Sequence, residues 1–189
     1  STVSGMSGPL KTINQAIAVA QPGDTIHIVP TDKPCYQGIE IHNKHGEPEK
    51  PIVIDGHGVT LSGAGPLDPN QCLLVSPGLW KHTNPNSAAN VGFVSRYYFL
   101  IDCKMNRMGQ CSKGPSEPFL KIDELRDGQW TYIKDDDAFY LKLAPSQSLA
   151  SVKVPVLCNV VWIRGNSRYI VIKNLNTTHS WNDGFNFYD

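Results

Sequence analysis

Short apolar runs that alternate with polar residues, recurring at intervals of about 20 to 26 residues, constrain this chain more than any other feature. They begin with Thr25-Ile26-His27-Ile28-Val29 and continue with Ile39-Glu40-Ile41-His42 and Ile52-Val53-Ile54-Asp55. Later members are Cys72-Leu73-Leu74-Val75, Val160-Val161-Trp162-Ile163, Tyr169-Ile170-Val171-Ile172 and Phe185-Asn186-Phe187-Tyr188. A side-chain period of two sends one face of each segment into a core. The 16 Gly and 14 Pro among 189 residues supply the turns between them. Strands of this length at an interval in the twenties predict the stacked coils of a solenoid.

One break in the alternation refines the prediction. In Ile170, Ile172 and Leu175 the apolar series steps by three across Asn174. Asn tolerates the left-handed backbone conformation, so a single residue there turns the strand through a corner and points Leu175 inward again. Between Pro9 and Gln21 the period is instead helical, with Leu10, Ile13, Ala16, Ile17 and Ala20 on one face. Ser7-Gly8 offers a cap, Pro9 suits the first helical position, and Pro22-Gly23 stops the pattern.

Regular spacing is lost between Val75 and Val160, where Trp80, Tyr97, Tyr98, Trp130, Tyr132 and Tyr140 concentrate. Most of Pro77 to Pro155 reads as an insertion, dividing the chain into residues 1–76, 77–155 and 156–189. Within the insertion, residues 129–134 and 138–143 flank Asp135-Asp136-Asp137 and predict a β-hairpin with an acidic turn. A second extended stretch runs from Phe93 to Asp102.

Charge and composition remove several function classes. The 17 Lys and Arg balance 17 Asp and Glu, which lacks the basic excess of a nucleic-acid module, and 40% hydrophobic residues exclude a disordered chain. The apolar runs fall far short of the roughly 20 residues a membrane span needs. The basic and apolar regions of a signal peptide are not visible at Ser1, as they would not be in a mature or trimmed chain. Five cysteines cannot all pair within the chain; Cys103 and Cys111 are close enough to bridge, and buried free thiols are the alternative.

The N-terminal order of features has a family likeness. Leu10-Lys-Thr-Ile-Asn-Gln-Ala-Ile17, Ala20-Gln-Pro-Gly-Asp-Thr-Ile-His-Ile28, Lys50-Pro-Ile-Val-Ile54 and Gly58-Val-Thr-Leu-Ser-Gly63 resemble the start of secreted parallel β-helix proteins of the pectate-lyase-like superfamily, in the style of the chondroitinase B and alginate lyase group. The resemblance covers roughly residues 8–75 and 155–189. It implies an all-β, right-handed parallel β-helix with an N-terminal capping α-helix; the long inserted β-rich subdomain lies outside the resemblance and is expected from the broken spacing alone. It further implies a secreted or periplasmic protein whose partner is a polysaccharide or oligosaccharide, with no nucleic acid or membrane partner. The activity implied is cleavage of a uronate-containing polymer by β-elimination; in that group the catalytic Lys and Arg and the carboxylates that hold calcium lie on later coils, expected to be absent from this chain, so calcium enters only by family analogy and the cofactor is left unassigned. A non-catalytic carbohydrate-binding or adhesion protein and a glycoside hydrolase are the alternatives. Thr31-Asp-Lys-Pro-Cys-Tyr36 stands where relatives commonly carry a Gly-Thr-Tyr turn. Phe185 to Tyr188 reads as a coil strand with no following strand to cover it, so the chain is expected to be a fragment.

Candidate chemistry clusters near the C-terminal end. His179 and Asp183 are the expected general base and orienting or metal-binding carboxylate, with Trp181 stacking on a sugar face. The competing reading makes Asn182-Asp183-Gly184 a turn between coils. In the insertion, Trp130 is a candidate carbohydrate platform or, equally, part of a small aromatic core, and Arg107, in the basic stretch from Lys104 to Lys113, is a candidate partner for uronate carboxylates or part of a charged surface with no ligand. Asp135 to Asp137 read as a solvated turn, not a calcium loop. His27, His42, His45, His57 and His82 lack paired metal-ligand spacing, and His27 and His42 are expected to face solvent, so no metal ligand is assigned. Phosphate-binding glycine loops and the nucleophile elbow are missing.

Overall fold

The computed structural model describes residues 9–32, 35–85, 94, 96–109 and 117–188. They form two compact units, one made of the segments up to Ala64 and from Val156 onward, the other of Gly65–Pro155. The helix, α1, spans Ile13–Val19 and is shorter than the Pro9–Gln21 pattern. It starts late because Thr12 has an extended backbone and its hydroxyl accepts the Gln15 N–H at 3.1 Å, which makes it the cap. Ser7 and Gly8 lie outside the described residues.

The strands begin with β1 (Thr25–His27), β2 (Ile39–His42), β3 (Ile52–Asp55), β4 (Thr60–Ser62) and β5 (Ala64–Pro66). There follow β6 (Cys72–Ser76), β7 (Leu79–Thr83), β8 (Phe99–Ile101), β9 (Lys104–Asn106), β10 (Trp130–Ile133), β11 (Ala138–Lys142) and β12 (Lys153–Pro155). The chain then returns to the first unit with β13 (Asn159–Arg164), β14 (Ile170–Lys173), β15 (Asn176–Thr178) and β16 (Asp183–Tyr188).

In the first unit every sheet is parallel and short. The orders are β1-β3-β14, β2-β13-β16 and β4-β15. Like residues stack in register, with Ile26 beside Ile54 and Ile54 beside Ile172. The inward residues Ile39, Ile41, Ile54, Leu61, Val160 and Val161 join Ile13 and Ile17 of α1 in one core. Asn174 sits at φ 53°, the left-handed corner its sequence position implies, and Leu175 turns back onto the core.

Successive turns approach so closely that side chains are excluded. A Cβ on Gly56 would lie 2.5 Å from the Asn174 carbonyl oxygen and 2.8 Å from Leu175 Cδ1. The carbonyl is held by the Gly58 N–H at 2.7 Å and Leu175 by the core, so relief requires the turns to separate. Gly56→Ala is expected to cost about 1–3 kcal/mol in urea denaturation, the usual penalty of overpacking; wild-type stability would contradict this packing.

The expectation of a single right-handed parallel β-helix is overturned. The parallel sheets hold two or three strands each, and no closed solenoid or long parallel stack exists among the described residues. The Gly65–Pro155 unit is instead largely antiparallel, with sheets β10-β11-β7-β6 and β5-β12-β8-β9. Strand β6 shows why. Cys72 to Val75 looked like another coil strand, yet the Pro77-Gly78 turn, with Gly78 at φ 74°, folds it back antiparallel on β7. Leu73 is 65% exposed rather than inward. Periodicity alone cannot distinguish a parallel from an antiparallel strand, and here turn chemistry decides.

The hairpin expected around the acidic turn is present, with Trp130 opposite Leu141 and Ile133 opposite Ala138. Its carboxylates are used internally. Asp136 pairs with Lys81 and accepts from the Tyr140 hydroxyl, while Asp137 accepts from Tyr132 at 2.7 Å and Asn84 at 2.8 Å. Of the extended stretch expected from Phe93, β8 begins at Phe99, and Phe93 itself lies outside the described residues. Cys103 carries a free, exposed thiol; Cys111 lies outside the described residues. Among the described residues no helix is long and apolar enough to cross a membrane.

Candidate functional site

In the first unit the sheet β1-β3-β14 sets His27, Asp55 and Lys173 side by side, because His27 registers with Asp55 and Asp55 with Lys173. Asp55 ends β3, and the chain turns at once through Gly56, His57 and Gly58. His57 adopts φ 49° and Gly58 φ 83°, which swings the His57 side chain back over the end of the sheet. The outcome is a pair of stacked imidazoles, ring centroids 5.1 Å apart and 27° from parallel, with His27 Nδ1 2.8 Å from His57 Nε2. Both histidines are exposed, whereas Asp55 is only 6% exposed.

Asp55 organises this cluster. Its Oδ1 accepts the Asn174 side-chain N–H at 3.0 Å and the His57 backbone N–H at 3.1 Å, and its Oδ2 lies 3.3 Å from Lys173 Nζ. The corner residue Asn174 thus holds the carboxylate as well as turning the chain. The bond from Asn174 first, then that from the His57 backbone, with further help from Lys173, pulls the carboxyl down from 3.8 to about 2 against the cost of burial. A folded value below the unfolded one gives stability that is complete above about pH 4 and lost as the pH falls toward 2. Asp55→Asn is therefore expected to flatten the fall of Tm with acid across that window. An unchanged acid profile would remove Asp55 as a source of it.

Among the described residues this is the group of three whose ligand-bearing atoms converge, all within 4.8 Å of one another. Its donor set is two imidazole nitrogens and a carboxylate. Calcium, implied by the family likeness, takes six to eight oxygens, so this cluster does not fit it. A cleft of about 480 Å³ opens beside α1 and β1, lined by apolar residues including Ile13, Ala16 and Ile26, with His27 and Cys35 also on its wall.

A second polar surface lies on the outward face of β2-β13-β16. Register places Glu40, Trp162 and Asn186 in one row and His42, Arg164 and Tyr188 in the next. The Arg164 guanidinium lies 4.4 Å over the Trp162 ring and pairs with Glu40. Its Nε is buried without a hydrogen-bond partner. Tyr188 is 72% exposed.

The residues singled out from sequence fall into both units. His179 adopts φ 57° at a corner, where its carbonyl oxygen packs against Gly63. Asp183 opens β16 and accepts from Asn182 at 2.8 Å and Asn186 at 3.0 Å, and Asn159 Oδ1 accepts from the Asn182 side chain and the Asp183 backbone. The half-buried Trp181 donates its backbone N–H to the Leu157 carbonyl. Trp130 and Arg107 belong to the other unit. Trp130 is 0% exposed, packed edge-on against Phe99 and Phe119, and its indole N–H donates to the Asn106 carbonyl at 2.8 Å. That burial leaves it no face for a sugar. Arg107 lies 5.5 Å over the Tyr98 ring.

The His27, Asp55 and His57 convergence was missed because the two histidines are 30 residues apart and meet only through strand register. The available signal was the alignment of Thr25-Ile-His27 with Val53-Ile-Asp55, two runs of the same pattern.

No protein-family model matches the chain, and no curated protein matches it. Among solved structures, one described as the complex structure of XylC with xylose aligns with 91% of this chain at a TM-score of 0.59 and 15% identity. The likeness shows a β-helix-like fold. The chain spans 32% of the length of that structure, and at this identity the fold is all that carries over. It agrees with the parallel sheets of the first unit, and the antiparallel Gly65–Pro155 unit differs from a simple coil stack.

Proposed function

We propose that this chain belongs to a secreted or periplasmic carbohydrate-active protein whose partner is a polysaccharide or oligosaccharide. The observation that carries the reading is the outward face of β2-β13-β16, where Arg164 stacks on Trp162 beside the exposed Tyr188. Aromatic rings with a polar rim take apolar sugar faces, and a guanidinium takes a carboxylate in two parallel bonds. A uronate carboxylate would compete with Glu40 for Arg164. The neighbour solved with xylose supports a sugar ligand.

The finer reading is β-elimination on a uronate polymer, in which a base removes the proton beside the carboxylate while a cation stabilises the developing charge. His179 and Asp183 are its proposed base and orienting carboxylate, with Trp181 as a stacking residue. Asp183 reaches the aromatic face through Asn186, which registers with Trp162. Arg107 is the corresponding basic candidate in the other unit. Non-catalytic binding is the second reading, favoured by the two side-chain amides that already occupy the Asp183 carboxylate.

A panel of uronate and neutral polysaccharides tests this. Absorbance from unsaturated ends supports elimination, new reducing ends without it support hydrolysis, and retention on a glycan without turnover supports binding. Arg164→Ala should then weaken uronate retention on the order of tenfold or more. Absence of both turnover and retention across the panel would overturn the carbohydrate reading.

A further inference from the structure

The paired imidazoles have no part in the carbohydrate reading. Two exposed histidines, on a strand and on a turn, are held with ring nitrogens 2.8 Å apart over a carboxylate that is itself fixed by the Asn174 side chain and the His57 backbone. The strand register and the left-handed His57 backbone position the rings before any ligand arrives. We propose that His27, His57 and Asp55 form a binding site for a divalent transition-metal ion of the zinc type.

The donor chemistry selects that class. Imidazole nitrogens and one carboxylate suit zinc and its first-row neighbours, whereas calcium and magnesium require oxygen. Nitrogens bound tetrahedrally at about 2.0–2.1 Å from one ion sit roughly 3.3 Å apart, so the rings need open by only about half an ångström. His27 offers Nδ1, His57 Nε2, and Asp55 a carboxylate oxygen. Three protein ligands leave a fourth tetrahedral position for water or another oxygen ligand. The bonds from Asn174 and the His57 backbone orient the carboxylate, the kind of support that tunes ligand position in metal sites. Lys173 opposes the ion: its ammonium lies 3.3 Å from Asp55 Oδ2, and its half-exposed side chain must swing into solvent as the ion enters.

The charge of Lys173 makes the proposal testable from both directions. The full chain, stripped with chelator and dialysed, is titrated with Zn²⁺ by calorimetry and with Co²⁺ by visible absorption. The expected result is one ion per chain, with the absorption bands of a low-coordinate nitrogen and oxygen site. His27→Ala and His57→Asn should each weaken binding on the order of tenfold or more, Asn being used because it tolerates the left-handed backbone at residue 57. Lys173→Met should tighten it by removing a like charge. Circular dichroism on the same samples establishes that the exposed substitutions leave the fold intact. Absence of a stoichiometric ion, or wild-type affinity in either histidine variant, would overturn the site and leave the pair as a plain imidazole hydrogen bond. Since no glycan enters the titration, its result is independent of the carbohydrate reading.

Discussion

Trp130→Ala is expected to destabilise the Gly65–Pro155 unit by about 3–5 kcal/mol, the largest loss of any single truncation considered. Trp130 is fully buried, and its ring meets Tyr97, Phe99, Phe119 and Phe139 with centroids between 5.4 and 6.3 Å. Truncation opens a cavity that the neighbouring rings, with Tyr97 and Phe139 stacked on each other and Phe99 edge-on to both, are poorly placed to fill. It also strands the Asn106 carbonyl that the indole N–H satisfies. Hydrogen exchange read peptide by peptide localises the effect: protection should fall across β10 and β11 first. A Trp130→Phe variant keeps most of the apolar volume and loses the hydrogen bond, so its smaller deficit separates the two contributions. Full retention of stability in Trp130→Ala would mean that this aromatic cluster is not the core of the unit.

The second large effect lies in the parallel unit. Ile54→Ala should cost about 2–5 kcal/mol, because Ile54 is fully buried at the centre of β1-β3-β14, between Ile26 and Ile172. Adjacent inward residues of a parallel sheet stack directly, so a missing side chain leaves a gap bounded on two sides by fixed strands. Exchange protection should fall in β1, β3 and β14. Ile54→Val, which removes one methylene, should lose only about 0.5–1.5 kcal/mol. Equal losses for the two variants would show that backbone strain rather than the cavity sets the cost.

Local chemistry was legible wherever it acted alone. Asn174 was identified as a left-handed corner because it interrupts the alternation of Ile170 and Ile172, and it is at φ 53°. The hairpin around Asp135 to Asp137 followed from two alternating runs and a turn-forming triplet, and its register is regular. The helix is legible as an apolar face but not in its start, since Ser7-Gly8 and Pro9 read as its punctuation whereas the Thr12 hydroxyl makes the capping bond. Trp130 stays open between two readings for a related reason. An aromatic residue in a charged segment reads equally as a platform or as a core, and its exposure depends on what packs against the strand.

The sequence by itself determined where the strands with clear alternation lie and where Asn174 and the acidic triplet turn the chain, because side-chain period and backbone preference are properties of a few neighbouring residues; short strands such as β7, β12 and β15 carry no such signal. Only the tertiary structure decided which strands pair. Cys72 to Val75 has the apolar character of a coil strand and nevertheless pairs antiparallel, since a Pro-Gly turn returns the chain before a parallel crossover can form. Register decided the rest: a slip of a single residue would turn Asp55 away from His27 and dissolve the cluster, although every residue in it would keep its place in the sequence.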